Sequence, residues 1–201
     1  MNFLASKCTF TFLSPEIIAN SKQFDCGHPD LNDFFSTDCI HYNNKLLGKS
    51  YSFILTEDPT TIVCALTVSN DSIKTNLLPN SRKKKLLKSI PRSKHASSYP
   101  AVLIGRLGVN INFKGQGIGH ELMDFIKAWF IDPNNKTGCR YIVVDAYNVP
   151  ESLHYYERND FQFIFSTPAQ EKKHYNLSSK ATLNTRLMVF DLIDLTANPQ
   201  G

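Results

Sequence analysis

Residues 109–122 read VNINFKGQGIGHEL, which puts three glycines, Gly115, Gly117 and Gly119, into five positions. An apolar run, YPAVLIGRLGVN (99–110), leads directly into them, and a helix-like pattern follows. Inside regular structure a glycine costs about 0.5–1 kcal/mol relative to alanine, so three together need a reason. A strand, a glycine-rich turn and a helix form the arrangement in which backbone N–H groups at a helix start face an anion, helped by the helix dipole. Glycine lets a phosphate approach the chain closely. Two familiar phosphate loops are excluded, because one needs G-x-x-x-x-G-K-[ST] and the other G-x-G-x-x-G, whereas these glycines alternate strictly. The turn also follows the middle of the chain, not its first strand.

Working outward, 99–110 is apolar on both faces and reads as a central strand. After Gly117, residues Ile118, Leu122, Ile126, Trp129 and Phe130 recur at helical spacing. Glu121 lies near the positive end of that helix, and Asp132-Pro133 stops it. RYIVVDAY (140–147) reads as a buried strand, and PESLHYYERND (150–160), with proline in a first-turn position, as a helix. FQFIFS (161–166) and residues 186–192 supply two last strands, and 166–184 between them reads as a long mobile loop.

Toward the N-terminus, CTFTFL (8–13) alternates as a first strand, ended by Ser14 and Pro15. After FDCGHPD, Asp30 is the expected N-cap of a helix carrying Leu31, Phe34, Phe35, Cys39, Tyr42 and Leu46, with Gly48 closing it. YSFILTE (51–57) and TIVCALTVS (61–69) are neighbouring strands joined through a hairpin-type turn. A basic insertion follows over about 71–99, with a helix expected around 81–90. This order predicts one α/β (α+β) domain over 1–201 with a mixed sheet, and no internal repeat or linker breaks it.

Composition agrees with a globular chain: 201 residues, 42% hydrophobic and 20% charged. The apolar runs are too short to cross a bilayer, and the N-terminus lacks a charged start followed by a long apolar stretch, so a cytoplasmic protein with no membrane partner is expected. Five cysteines form an odd set without C-x-x-C spacing and read as reduced, mostly buried thiols. Six scattered histidines specify no metal site. Net charge is only +4, but between Asp71 and Tyr99 stand Lys74, Arg82, Lys83, Lys84, Lys85, Lys88, Arg92 and Lys94, eight of the 22 basic residues, with Asp71 the only acid. Such a run either contacts nucleic-acid phosphates or is a solvated helix face that aids solubility.

Leu107-Gly108-Val109 followed by Lys114-Gly115-Gln116-Gly117-Ile118-Gly119 resembles motif A of the GCN5-related N-acetyltransferases, an L-x-V strand end before [RQ]-x-x-G-x-[GA] at a helix start. Lysine stands where that family usually has arginine or glutamine. About forty residues on, ESLHYYERNDFQFI resembles the family's A-x-x-F-Y-E-[KR]-x-G-F, with Ser152 in place of alanine and Asp160 in place of glycine. Aspartate tolerates the left-handed backbone that glycine would serve better than most residues do. The asparagine often found seven residues before the tyrosine falls on Val149, with Asn148 one place off.

The resemblance implies a central mixed, mostly antiparallel sheet flanked by helices and splayed at an acetyl-CoA site. It implies that the amides from Lys114 to His120 hold the pyrophosphate of acetyl-CoA, and that the backbone of Leu107, Gly108 and Val109 pairs with the pantetheine arm. Tyr156 is then the acid that protonates the departing sulfur. No metal is implied.

The stretch from Phe24 through Ile73, together with YPAVLIGRLGV, is similar to a subgroup that includes the acetyltransferase toxins of bacterial toxin–antitoxin pairs. With both motifs, the resemblance covers about 20–165 and the last strand, 186–192. Toxins of that subgroup acetylate the α-amine of aminoacyl-tRNA and are restrained by a small DNA-binding antitoxin, and dimers are common among such relatives. On this reading Lys83, Lys84, Lys85, Lys88 and Arg92 contact tRNA phosphates. Arg106 either shapes the acceptor site or makes an inward salt bridge. The family at large also acetylates protein and small-molecule amines, so those acceptors stay open, as does a CoA-binding module without turnover.

Overall fold

A computed structural model gives the fold and describes residues 2–88, 90 and 97–196. Its strands are β1 (Cys8–Phe12), β2 (Lys49–Leu55), β3 (Ile62–Lys74), β4 (Ser98–Val109), β5 (Tyr141–Tyr147), β6 (Gln162–Phe163) and β7 (Thr185–Asp191). They form one seven-stranded sheet in the order β1-β2-β3-β4-β5-β7-β6, so the most apolar run of the sequence is its central strand. β1–β2, β2–β3, β5–β7 and β6–β7 are antiparallel, and β4–β5 is parallel over Ala101–Leu103. The mixed, mostly antiparallel sheet is the one expected. Contacts along the chain gather into two compact units, Met1–Ser69 with Ile104–Trp129, and Asn70–Leu103 with Phe130–Gly201.

In the first unit lie α1 (Phe3–Lys7), α2 (Pro15–Asn20), α3 (Pro29–Asp33) and α4 (Cys39–Asn44), with most of α6 (Ile118–Ile131). Ile118, Leu122, Met123 and Ile126 are buried, as the helical spacing requires. Phe125 and Trp129 of α6 meet Phe10 of β1 at ring-centroid distances of 4.6 and 5.1 Å, and Phe53 of β2 sits 4.9 Å from Phe125. A separate cluster joins Leu13, Phe24, Cys26, Phe34, Phe35, Cys39, Ile62 and Ala65.

The helix expected from an Asp30 cap starts two residues earlier. His28 is its extended N-cap, Pro29 stands in the first turn, and Asp30 falls inside the helix. A π-helical stretch over Phe34–Asp38 joins α3 to α4 with helical backbone at both junctions, so the expected helix runs on through it to Asn44. Leu46, at φ 57° and 90% exposed, ends the segment in place of Gly48. Gly48 serves a close approach instead: a methyl group there would lie 3.0 Å from the Val68 carbonyl oxygen.

The second unit holds α5 (Asn80–Leu87), α7 (Pro150–Arg158), α8 (Pro168–His174) and α9 (Ile193–Thr196). Its core joins Ile73, Leu78, Tyr99, Ala101, Tyr141, Val143, Ile164, Phe165 and Val189. Two expectations are corrected here. The loop 166–184 contains α8, capped by Thr167, whose Oγ1 accepts the Gln170 N–H at 3.3 Å. The strand expected over 161–166 is cut to Gln162–Phe163, and beyond it the Phe165 carbonyl accepts from the Arg186 guanidinium at 3.2 Å.

Candidate functional site

The glycine turn is built by two short devices. A 3₁₀ turn over Ile111–Phe113, capped by the Asn110 side chain, brings β4 round, and Gln116 donates from Nε2 to the Asn112 carbonyl at 3.1 Å. Gly115 and Gly117 then take φ of 75° and 82°, values that L side chains rarely adopt. No atom lies within 4 Å of where a methyl group on either would project, so both face open space. The amides of Gly115, Gln116, Gly117 and Ile118 have no hydrogen-bond partner among the described residues, whereas His120 and Glu121 N–H both return to the Gly117 carbonyl, at 3.0 and 3.1 Å. Four unpartnered N–H groups at a helix start are the kind of donor set that takes a diphosphate. Lys114 and His120 are exposed on either side, His120 with Nε2 3.5 Å from Asp124.

Gly108 has a different reason. A methyl group there would meet Cβ and Sγ of Cys26, both at 3.1 Å. The stretch 24–28 therefore runs against the end of β4, and the Asp25 carbonyl accepts the Ile111 N–H at 2.9 Å. Hydrogen bonds from Gly27 N–H and the Asn32 side chain hold the Asp25 carboxyl below its usual range, and Lys114 adds to this. Leu107 and Val109, on either side of Gly108, are half-buried and lie beyond the three β4 residues that pair with β5. Arg106 is exposed and makes no ion pair among the described residues. Its guanidinium donates to the Gly105 carbonyl at 2.7 Å and lies 5.1 Å over the Phe34 ring.

Tyr156 stands on α7, which Pro150 starts and which gives way to β6 through Asp160 at φ 64°. Its ring packs on Phe161 (5.4 Å) and Tyr155 (5.0 Å). Part of the residue keeps solvent access, while burial around the phenol pushes its pKa well above the ordinary value. Its hydroxyl has no hydrogen-bond partner among the described residues, unlike most buried tyrosines. Asn148 donates to the Leu183 carbonyl at 2.9 Å and so supports the chain after α8.

Lys83, Lys84, Lys85 and Lys88 lie on or just beyond α5, the last three exposed. Leu86, Leu87 and Ile90 turn to the core, and the Leu86 carbonyl accepts from the Tyr141 hydroxyl at 2.9 Å. Arg92 lies outside the described residues.

Sequence reasoning missed one constellation altogether. Glu171 of α8 is fully buried and takes Arg186 Nε at 2.6 Å and the Leu187 N–H at 2.5 Å. Near it, burial and the charges of Asp71 and Glu171 raise the Asp145 carboxyl, and burial with Asp145, Glu171 and Asp71 raises Tyr175 to about 12. The signal for α8 was present as Thr167-Pro168-Ala169-Gln170, a capping box with proline at the first helical position. Among the described residues no group of three or more His, Cys, Asp or Glu gathers as a metal site, and no helix is long and apolar enough to cross a membrane.

No protein-family model matches the chain. Among solved structures it is similar to a tyrosine-to-phenylalanine mutant of KacT, with TM-score 0.68 and 17% identity over 96% of this chain and 99% of that one. It is similar to AtaT complexed with acetyl-methionyl-tRNAfMet (TM-score 0.63, 18% identity, 94% and 98% covered). A tyrosine-to-phenylalanine mutant of the toxin AtaT, bound to the C-terminus of the antitoxin AtaR and acetyl-CoA, gives TM-score 0.60 at 16% identity over 96% and 98%. The chain thus has the GCN5-related N-acetyltransferase fold of these toxins over nearly its whole length.

Proposed function

We propose that this chain moves an acetyl group from acetyl-CoA to a primary amine, and that the α-amine of aminoacyl-tRNA is the acceptor. The observation that carries the reading is the run of four amides, residues 115–118, with no hydrogen-bond partner among the described residues and with open space beside Gly115 and Gly117 at the start of α6. Those amides, with Lys114, Gly119 and His120 beside them, would hold the diphosphate, and the Leu107–Val109 backbone would pair with the pantetheine arm. Bound there, acetyl-CoA supplies an activated acetyl thioester.

Tyr156 holds a proton at Oη through the neutral range and well above it, because burial disfavours the phenolate. An acid in that state can give its proton to a departing thiolate while the incoming amine nitrogen bonds to the acetyl carbon and releases its own proton to water. The tyrosine-to-phenylalanine changes in the KacT and AtaT structures support a role for a tyrosine in that fold. The acceptor is argued from the exposed lysines of α5 and from the acetyl-methionyl-tRNAfMet complex of AtaT. A small antitoxin protein is the proposed partner, as AtaR is for AtaT.

Labelled acetyl-CoA incubated with bulk aminoacyl-tRNA, beside small amines and peptides, tests this. The expected result is label on the aminoacyl group, with kcat lower by about 10²–10⁴ in Tyr156→Phe and KM for acetyl-CoA unchanged. Label only on an amine or peptide overturns the acceptor, and no transfer to any amine overturns the enzyme.

A further inference from the structure

Helix α1 was not expected from the sequence, and its placement bears on the glycine turn. Five residues cannot hold a helix alone, so α1 exists through what it touches. Asn2 caps it, its side chain accepting the Ala5 N–H at 3.1 Å, and Leu4 is 2% exposed. Its first-turn amides go to one side chain: Phe3 N–H donates to Glu121 Oε1 at 3.0 Å and Leu4 N–H to Glu121 Oε2 at 2.8 Å. The Phe3 ring lies 5.9 Å from that of Phe113.

Phe113 and Glu121 stand on opposite sides of the glycine turn. Phe113 ends the 3₁₀ turn just before Lys114, and Glu121 belongs to the first turn of α6 just after Gly119. Between them the chain has two glycines at positive φ facing open space, so little packing within the turn fixes where its amides point. Holding both ends supplies what the turn lacks. The charge on Glu121 poses a second problem. A carboxylate in the first turn of a helix is favourable while the helix end is empty, but it repels an anion bound there. Both of its oxygens are taken by α1 donors, which set that charge against the positive end of a second helix. The nearby Cys8 thiol feels it: burial, and then Glu121, raise Cys8 to about 11.

We propose that Glu121 is a positioning residue for the anion turn and that α1 is the brace through which it acts. The proposal rests on the reading of residues 115–118 as the diphosphate site. Two effects of Glu121→Gln then oppose each other. Loss of a negative charge near the site, acting alone, tightens binding of CoA. Loss of one acceptor leaves an α1 amide facing a side-chain NH₂, frees the turn and weakens binding.

The experiment compares wild type, Glu121→Gln and the double variant Asn2→Ala/Phe3→Ala, which leaves Glu121 intact. Two quantities are read on each: calorimetric Kd for CoA, and ¹⁵N order parameters of the Gly115, Gln116 and Gly117 amides in the ligand-free protein. The expected result is lower order parameters at those amides and CoA binding about tenfold weaker in both variants, a loss of about 1.4 kcal/mol. Tighter CoA binding by Glu121→Gln, or wild-type order parameters in whichever variant stays folded, overturns the proposal. Failure of the wild type to bind CoA overturns the diphosphate reading instead, and the order parameters still decide the brace.

Discussion

Tyr156 and Asp145 are both raised by burial, and the two shifts have different meanings. A phenol held above its ordinary value is an acid that still has its proton at neutral pH, which is the state the proposed transfer requires. A carboxyl held above its ordinary value is a destabilised anion. The stability tied to Asp145 is fully present below the ordinary carboxylate pKa and is lost as pH rises through the raised value. Asp145→Asn should therefore raise Tm near pH 7, with the gain shrinking as pH falls toward about 4. Asp145 keeps solvent access, so the gain is small, and thermal melts across pH measure it. A fall in Tm at neutral pH would show that the carboxylate is needed where it stands. The shift was not legible in the sequence, because it arises first from burial in the folded chain and then from Asp71 and Glu171, 74 and 26 residues away.

At the scale of elements, legibility followed the length and periodicity of each segment. α6, with its buried Ile118, Leu122 and Ile126, and β4, apolar on both faces, stand where the pattern put them. The glycine turn and the left-handed Asp160 were readable as well, because backbone conformation constrains residue type strongly at such points. α1 and α8 were not. Each is short and polar on the outside, and each is held by a carboxylate contact distant in sequence, Glu121 for α1 and the Glu171–Arg186 pair for α8. That pair makes a sharp prediction. Removing one partner, as in Arg186→Met, leaves a buried unpaired charge and should cost about 3–5 kcal/mol in urea unfolding. Replacing both with apolar residues of similar volume should restore most of it. Equal losses in the single and double replacements would contradict this account of α8.

For the whole molecule, the likeness to KacT and AtaT at 16–18% identity is one of fold, and the acceptor has to be argued from this chain's own surface. The basic segment was legible as charge but ambiguous as function, since a solvated helix face and a phosphate-binding face look alike in sequence. α5 turns its leucines to the core and leaves Lys84, Lys85 and Lys88 exposed, a geometry that serves either reading. Salt separates them. If the lysines meet tRNA phosphates, the triple change Lys83→Glu, Lys84→Glu, Lys85→Glu should weaken tRNA binding and flatten the slope of log K against log salt by about 2–3. Affinity for acetyl-CoA should stay the same. An unchanged slope assigns the run to solubility.

Acetyl transfer and the α1 brace both depend on the glycine turn, so the most direct measurement is a ¹H–¹⁵N titration of the protein with CoA. Saturable shifts centred on the amides of Gly115, Gln116, Gly117 and Ile118 are the result predicted. CoA binding that leaves those four amides unmoved, or no binding at all, would contradict the assignment of the turn.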